Sequence, residues 1–213
     1  MGKRIKLQKY KKKKAILDAA EEIIARNGFK AMTMDEVAKK ADVAKGTLYL
    51  YFKDKNSLCA AVNARLNNQM NSVVKNKMNS HKTGSEKIIA YGTGIIEYCK
   101  VNPQKCKAAT ELYQMPLDDL EDINVQNFLQ ESNQMVQMIA DAYRQGIDEG
   151  SIREDVDPIP TAIFNRMAFI NAFIPTPEHK ILLKINNFSQ ERYLTVAWNL
   201  INRSTHIKPS IRE

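Results

Sequence analysis

From residue 15 onward the apolar positions of this chain recur at intervals of three and four. Ile16, Ala19, Ala20, Ile23 and Ile24 form one stripe, which Asn27-Gly28 ends with a left-handed stop. Thr33 to Glu36 spell a Thr-x-x-Glu capping box, opening a second helix with Val37 and Ala38 inward and Lys39 and Lys40 outward. Residues 41–44 make a turn. A third helix follows from about Lys45 to Tyr51, with Leu48 and Phe52 on its inner side and Lys45, Thr47, Tyr49 and Tyr51 outward. Asp54 then caps a fourth, which continues through Leu58, Val62 and Leu66 to about Lys77.

The same period continues to the end of the chain. Ser85 opens a helix with Ile88, Ile89, Tyr91, Gly92, Ile95, Ile96 and Cys99 on its apolar side. Asn102-Pro103 caps and starts another toward Tyr113, and Met115-Pro116 breaks it. A long helix runs from about Asp118 or Glu121 to Glu149, with Gly150 as its stop. Asp157-Pro158 begins the next, which ends before Pro175; a short helix near Ile181–Ile185 follows, and the last runs from Ser189 to about Arg203. With 8 Gly and 7 Pro in 213 residues and few β-branched runs, the predicted fold class is all-α. The segments from Pro158 to Ile174 (Ile159, Ile163, Phe164, Met167, Phe169, Ile170, Phe173) and from Ser189 to Arg203 (Tyr193, Leu194, Val196, Ala197, Trp198, Leu200, Ile201) are apolar on too many sides for one packed face. They are expected to bury a second face against a symmetry mate, as a homodimer.

Charge divides the chain. Residues 1–60 hold 15 Lys/Arg against 7 Asp/Glu, whereas residues 61–213 hold 17 of each, so the whole net charge of +8 lies in the first part. The expected organisation is a basic helix-turn-helix head over 1–60, with an N-terminal arm of eight cations between Lys3 and Lys14, and a larger helical body over 61–213. Clustered cations gain affinity for a duplex by releasing its condensed counterions. The third helix, polar and aromatic outside and apolar inside, has the division of labour of a DNA-recognition helix.

The run from Ile16 to Val62, with Ala19-Ala20, Gly28, Thr33, Val37-Ala38, Val43, Gly46-Thr47-Leu48-Tyr49, Tyr51-Phe52 and Lys55, resembles the N-terminal domain of the TetR family of bacterial transcriptional repressors. The resemblance implies a homodimer that binds a palindromic operator in double-stranded DNA and leaves it when a small-molecule effector enters the C-terminal domain. Carried over by residue, it implies that Thr33 holds a phosphate, that Lys45, Gly46, Thr47 and Tyr49 approach bases or nearby backbone, and that Tyr51 and Lys55 grip phosphates. The arm would track the adjacent minor groove. A constitutive DNA-binding protein without a ligand is the alternative.

An effector cavity has weaker sequence signals. Tyr91, Tyr113, Met115, Phe128, Met135, Met138, Phe164 and Met167 are large, and methionine adapts to irregular ligands; Glu97 and Glu111 are candidate counter-charges. Other classes fit less well. His81, His179 and His206 are isolated, and neither a Gly-rich phosphate loop nor metal-ligand spacing occurs, so no enzyme, metal or cofactor is expected. No window approaches the roughly 20 apolar residues of a membrane span, and no apolar segment backs the basic N-terminus as a signal peptide would. Cys59, Cys99 and Cys106, odd in number, suit a reducing cytoplasm. Cys99 and Cys106 are expected as core thiols rather than oxidant sensors, since no basic neighbourhood is evident.

Overall fold

The structure is a computed structural model that describes residues 2–113, 115–173 and 177–205. The described residues form ten helices and no strand. These are α1 (Gly2–Asn27), α2 (Met34–Lys40), α3 (Lys45–Tyr51), α4 (Lys55–Asn79), α5 (Gly84–Val101), α6 (Pro103–Leu112), α7 (Ile123–Asp148), α8 (Pro158–Phe173), α9 (Pro177–Ile185) and α10 (Gln190–Thr205). Ile174, Pro175 and His206 of the sequence reading, and the side chain of Phe173, lie outside the described residues.

Two boundaries differ instructively from expectation. The basic segment is no extended arm, because α1 continues back to Gly2. Lys, Arg, Leu and Gln are good helix formers, and a helix nucleated by the packed Ile16–Ile24 stripe propagates cheaply into them. At the start of α5 the cap is Thr83 rather than Ser85. Its Oγ1 accepts from Glu86 N (3.2 Å), and the Glu86 carboxylate accepts in return from the N–H groups of Lys82 and Thr83. At α2 only half of the box closes. Thr33 Oγ1 accepts from Glu36 N at 3.2 Å, while the Glu36 carboxylate accepts from Asn27 Nδ2 at 3.4 Å. The stops at Gly28 (φ 83°) and Gly150 (φ 74°) form as the sequence predicts.

The helices gather into two compact units: residues up to Gln69 with Cys99–Ser132, and Met70–Tyr98 with the chain from Asn133 onward. The first therefore extends past residue 60. Its core joins Ile16, Ala20, Ile23 and Ile24 of α1, Val37 of α2, Leu48 and Phe52, and Leu58 and Val62 of α4 with Ala108 and Leu112 of α6 and Val125 and Phe128 of α7. Helix α4 holds this unit by two faces. Arg65 ion-pairs with Asp18 (2.6 Å) and with Glu21 of α1; on the other side Asn67 Oδ1 accepts from Tyr113 Oη at 3.0 Å. Asn124 Nδ2 donates to the buried Ser57 Oγ at 3.0 Å. In the second unit, Tyr91 of α5, Phe169 of α8 and Trp198 of α10 form an aromatic cluster with ring centroids 5.3–6.1 Å apart. Helices α8 and α10 pack together, and α5 crosses α7 where Gly84 meets Ala142 and Gly146.

Two carboxylates make the first unit acid-sensitive. Burial opposes the ionisation of Asp122, but the Asn124 and Val125 N–H groups, Ser57 and Lys53 outweigh it and lower its pKa. For Asp18 burial is likewise outweighed, by Lys14 and Arg65. A group whose pKa is lower in the folded state binds fewer protons there than in the unfolded chain. Its contribution is therefore full above the unfolded value near pH 4 and is lost as pH falls through the folded value. Thermal melts are expected to hold level from about pH 7 to 5 and to drop below about pH 4. Asp122→Asn should lower the melting temperature at pH 7 and converge with wild type in acid; an equal deficit at both pH values would exclude the carboxylate as the cause.

Candidate nucleic-acid interface

The α2–α3 pair is built from its apolar side. Met34, Val37 and Ala38 anchor α2, and Leu48 and Phe52, at 0% and 1% exposure, anchor α3 in the same core. Between them the chain turns at Asp42 in the left-handed region (φ 53°), with Val43 N donating to Ala38 O at 3.0 Å. Asp tolerates this conformation better than most residues because its short side chain bonds locally. The opposite side of α3 is open: Lys45, Gly46, Tyr49 and Leu50 are exposed and Thr47 is half-buried.

Each sequence candidate now has a place. Thr33 is exposed at the cap of α2. Lys45 Nζ lies 2.6 Å from Asp35 Oδ1, and that hydrogen bond raises the lysine pKa. With both side chains more than half exposed, such a pair is weakly held and exchanges readily for another anion. A Cβ on Gly46 would meet nothing within 4 Å. Tyr51, expected outward, instead packs half-buried against the core with its ring 6.5 Å from Phe52. A position at 100° per residue from Leu48 and Phe52 lies closer to their face than to that of Tyr49. Lys55 also turns back: its Nζ donates to Lys30 O at 3.0 Å and sits over the Phe29 ring at 4.7 Å. Leu50, which the sequence reading passed over, is 85% exposed. An apolar residue one position after Tyr49, off the Leu48–Phe52 row, was the available signal.

Cations around this face are partly engaged. Lys40 pairs with Glu22, Lys53 with Asp119 and Asp122, and Lys14 with Asp18. Residues Arg4 to Lys13 of α1 are exposed on all sides, carrying Lys and Arg together with Ile5, Leu7 and Tyr10.

The cavity candidates separate. Tyr113, Met115 and Phe128 belong to the first unit, where Met115 and Phe128 are buried in its core. The other five belong to the second: Tyr91 and Met135 are buried, Met138 is half-buried, and Phe164 (63%) and Met167 (44%) are exposed on the outer face of α8. Glu97 pairs with Lys77 at 2.5 Å. Glu111 lies against Gly28, within 3.0 Å of where a Cβ would stand. The cysteine expectation needs correction. Cys99 and Cys106 are disulfide-bonded and half-buried, while Cys59 is buried and its thiol is pushed by that burial to about 12. Seven residues apart across the α5–α6 junction, the two sulfurs meet only because the helices fold back at Asn102-Pro103. Among the described residues no helix is long and apolar enough to cross a membrane, and no group of His, Cys, Asp or Glu is placed to hold a metal ion.

Comparison with known proteins agrees with this geometry. Residues 16–62 match the model of the family described as bacterial regulatory proteins, tetR family. An uncharacterised HTH-type transcriptional regulator of Bacillus subtilis, YhgD, is 30% identical over 152 residues, which cover 71% of this chain and 76% of that protein. The fatty acid metabolism regulator protein of the same species is 36% identical over 81 residues, 38% of this chain and 42% of the relative's length. In three dimensions the fold is similar to the FadR transcriptional regulator of Bacillus subtilis, solved with stearoyl-CoA (TM-score 0.69, 19% identity, covering 90% of this chain and 98% of that one). It is also similar to FadR of Bacillus halodurans (TM-score 0.68, 16% identity, 95% and 97% covered). An all-helical chain with a helix-turn-helix at its N-terminal end, matched there by the family's model and over most of its length by one of its regulators, belongs to the TetR family of DNA-binding transcriptional regulators.

Proposed function

We propose that this protein is a homodimeric repressor that reads a palindromic operator with α3 and releases it when a small molecule binds the helical body. The observation that carries the reading is the two-sided build of α3: Leu48 and Phe52 fix it in the core while Lys45, Gly46, Thr47, Tyr49 and Leu50 stand free of it. Tyr49 and Leu50 supply the apolar surface that meets thymine methyl groups, Lys45 and Thr47 the donors for base edges or phosphates. Thr33 offers its hydroxyl hydrogen to a phosphate while its oxygen caps α2. In this reading Tyr51 and Lys55 contribute from the edge: the Tyr51 hydroxyl and the Lys55 ammonium reach phosphates from side chains that are already partly packed. The basic first turns of α1 add phosphate contacts as a helix lying along the duplex. Within the second unit Tyr91, Met135 and Met138 remain cavity candidates, Tyr113, Met115 and Phe128 are candidates only within the first, and Phe164 and Met167 take part in the subunit contact. The domain division follows: the head around residues 1–60 reads DNA and the remaining helices bind ligand and dimerise. Fatty acid regulators among the relatives make a long-chain acyl thioester the first effector to test.

The test is operator selection from a random-sequence DNA pool, then competition against bulk DNA. Tyr49→Ala is expected to cost about 1–3 kcal/mol on the selected operator and less on random DNA. Gly46→Ala supplies the complementary measurement. It should leave the fold as stable as before or up to about 1 kcal/mol more stable, because a helix gains from alanine and nothing opposes the new methyl group. Operator affinity should fall even so, because DNA comes close there. Equal losses on operator and random DNA for Tyr49→Ala would remove base reading from this face. Stearoyl-CoA titrated into the free protein and the operator complex should show weaker binding to the complex, by the same factor by which it weakens operator binding.

A further inference from the structure

We infer that Cys99 and Cys106 form a peroxide-oxidisable dithiol that sets operator affinity, an inference that rests on the DNA-binding reading above. The bond joins the last turn of α5 to the first turns of α6, closing the elbow at Val101-Asn102-Pro103 with the two Cα atoms 5.5 Å apart. Both cysteines belong to the first compact unit, the one that carries the recognition helix, and Cys99 is the residue at which the chain re-enters it. Past the elbow, α6 packs on α1, burying Ala108 and Leu112 in the core that also holds Leu48 and Phe52 of the recognition helix. Fixing the elbow therefore restrains the helix on which the DNA-reading unit is seated.

The chemistry is available at these two sulfurs and not at the third. Cys99 and Cys106 are half-buried, within reach of a small oxidant. Lys100, Lys105 and Lys107 flank them in sequence, a local basic setting that the expectation of inert core thiols left out. Cys59 is fully buried, with its thiol pushed to about 12. In the forward step the Cys106 thiolate attacks one oxygen of hydrogen peroxide. The O–O bond breaks, hydroxide leaves and takes a proton to become water, and Cys106 is left as a sulfenic acid. The Cys99 thiolate then attacks that sulfur, forming S–S as S–O breaks, and the second hydroxide leaves as water after protonation. Two electrons pass from the sulfur pair to peroxide, and a thiol reductant reverses the change by exchange.

The experiment compares wild type, Cys99→Ser/Cys106→Ser and Cys59→Ser, each fully reduced and then treated with hydrogen peroxide, on an operator selected in parallel with reduced and with oxidised wild type. Peroxide should make wild type and Cys59→Ser about 2 Da lighter, with the bond mapped between Cys99 and Cys106, and should change their operator affinity by at least about threefold. The double variant should keep one affinity under both conditions. If wild type binds the operator equally well reduced and oxidised, or if the double variant responds as wild type does, the redox assignment falls while the DNA-binding reading stands. If wild type selects no sequence over bulk DNA in either the reduced or the oxidised state, the DNA-binding reading has failed and the inference with it.

Discussion

Leu200→Asp is expected to turn the protein into a folded monomer that no longer holds its operator. Leu200 is 64% exposed in the protomer and stands with Val196 on the outer face of α10, as Ile163, Phe164 and Met167 stand on α8. A carboxylate there costs the isolated protomer little, because it remains in water. In the proposed dimer the same carboxylate would be buried against apolar side chains, at several kcal/mol or a forced protonation. Two neighbouring residues make poor probes by comparison. Trp198 packs on Tyr91 and Phe169, so replacing it or the adjacent half-buried Ala197 would confuse unfolding with dissociation. Losing the dimer also loses the second half-site. Linked binding is worth about 10²–10⁴ in affinity, so operator binding should fall by at least about 100-fold. Sedimentation of the variant, circular dichroism and operator titration together decide the matter: a dimer with unchanged operator affinity would remove this face from the interface.

Gly84→Val should destabilise the second unit by about 3 kcal/mol or more, which is overpacking at its severe end. A Cβ on Gly84 would stand 2.2 Å from both Ala142 O and Gly146 N and 2.6 Å from Gly146 Cα. All three are backbone atoms of α7, so no side-chain rotation relieves the clash. Separating the helices also strains the bond from Gly84 N to Glu149 Oε1, 2.6 Å long. Urea denaturation followed through Trp198, the one tryptophan of the chain, reads this unit directly. Gly46→Ala is the internal contrast, since the same kind of substitution in open space should be neutral or stabilising. If Gly84→Val unfolds at the wild-type midpoint, α5 does not approach the α7 backbone closely at Gly84.

Much of the candidate interface was legible in the chain because local rules govern it. Leu48 and Phe52 are four apart on one helix face, so their inward turn follows from the helical period and leaves Lys45 and Tyr49 outside. The exceptions depended on partners distant in sequence. Lys55 finds Lys30 O and Phe29 some 25 residues back, and Tyr51 finds the rim of the core. Neither partner can be inferred from the spacing of the motif.

The helical fold class, the stops at Gly28 and Gly150, the cap at Thr33 and the concentration of charge in the first 60 residues were determined by the sequence alone. Each depends on residues within one or two helical turns, or on composition. Only the tertiary structure decided which side of α8 faces in, because Phe164 and Phe169 are equally apolar and a helix apolar all round carries no directional signal; contact with Tyr91 and Trp198 buries one and leaves the other at 63% exposure. It likewise decided the pairing of Cys99 with Cys106, which requires the α5–α6 elbow, and the extension of the first compact unit to residues 99–132. In each case the deciding energy is a contact between segments far apart in the chain or across a turn, where periodicity along one helix has no bearing.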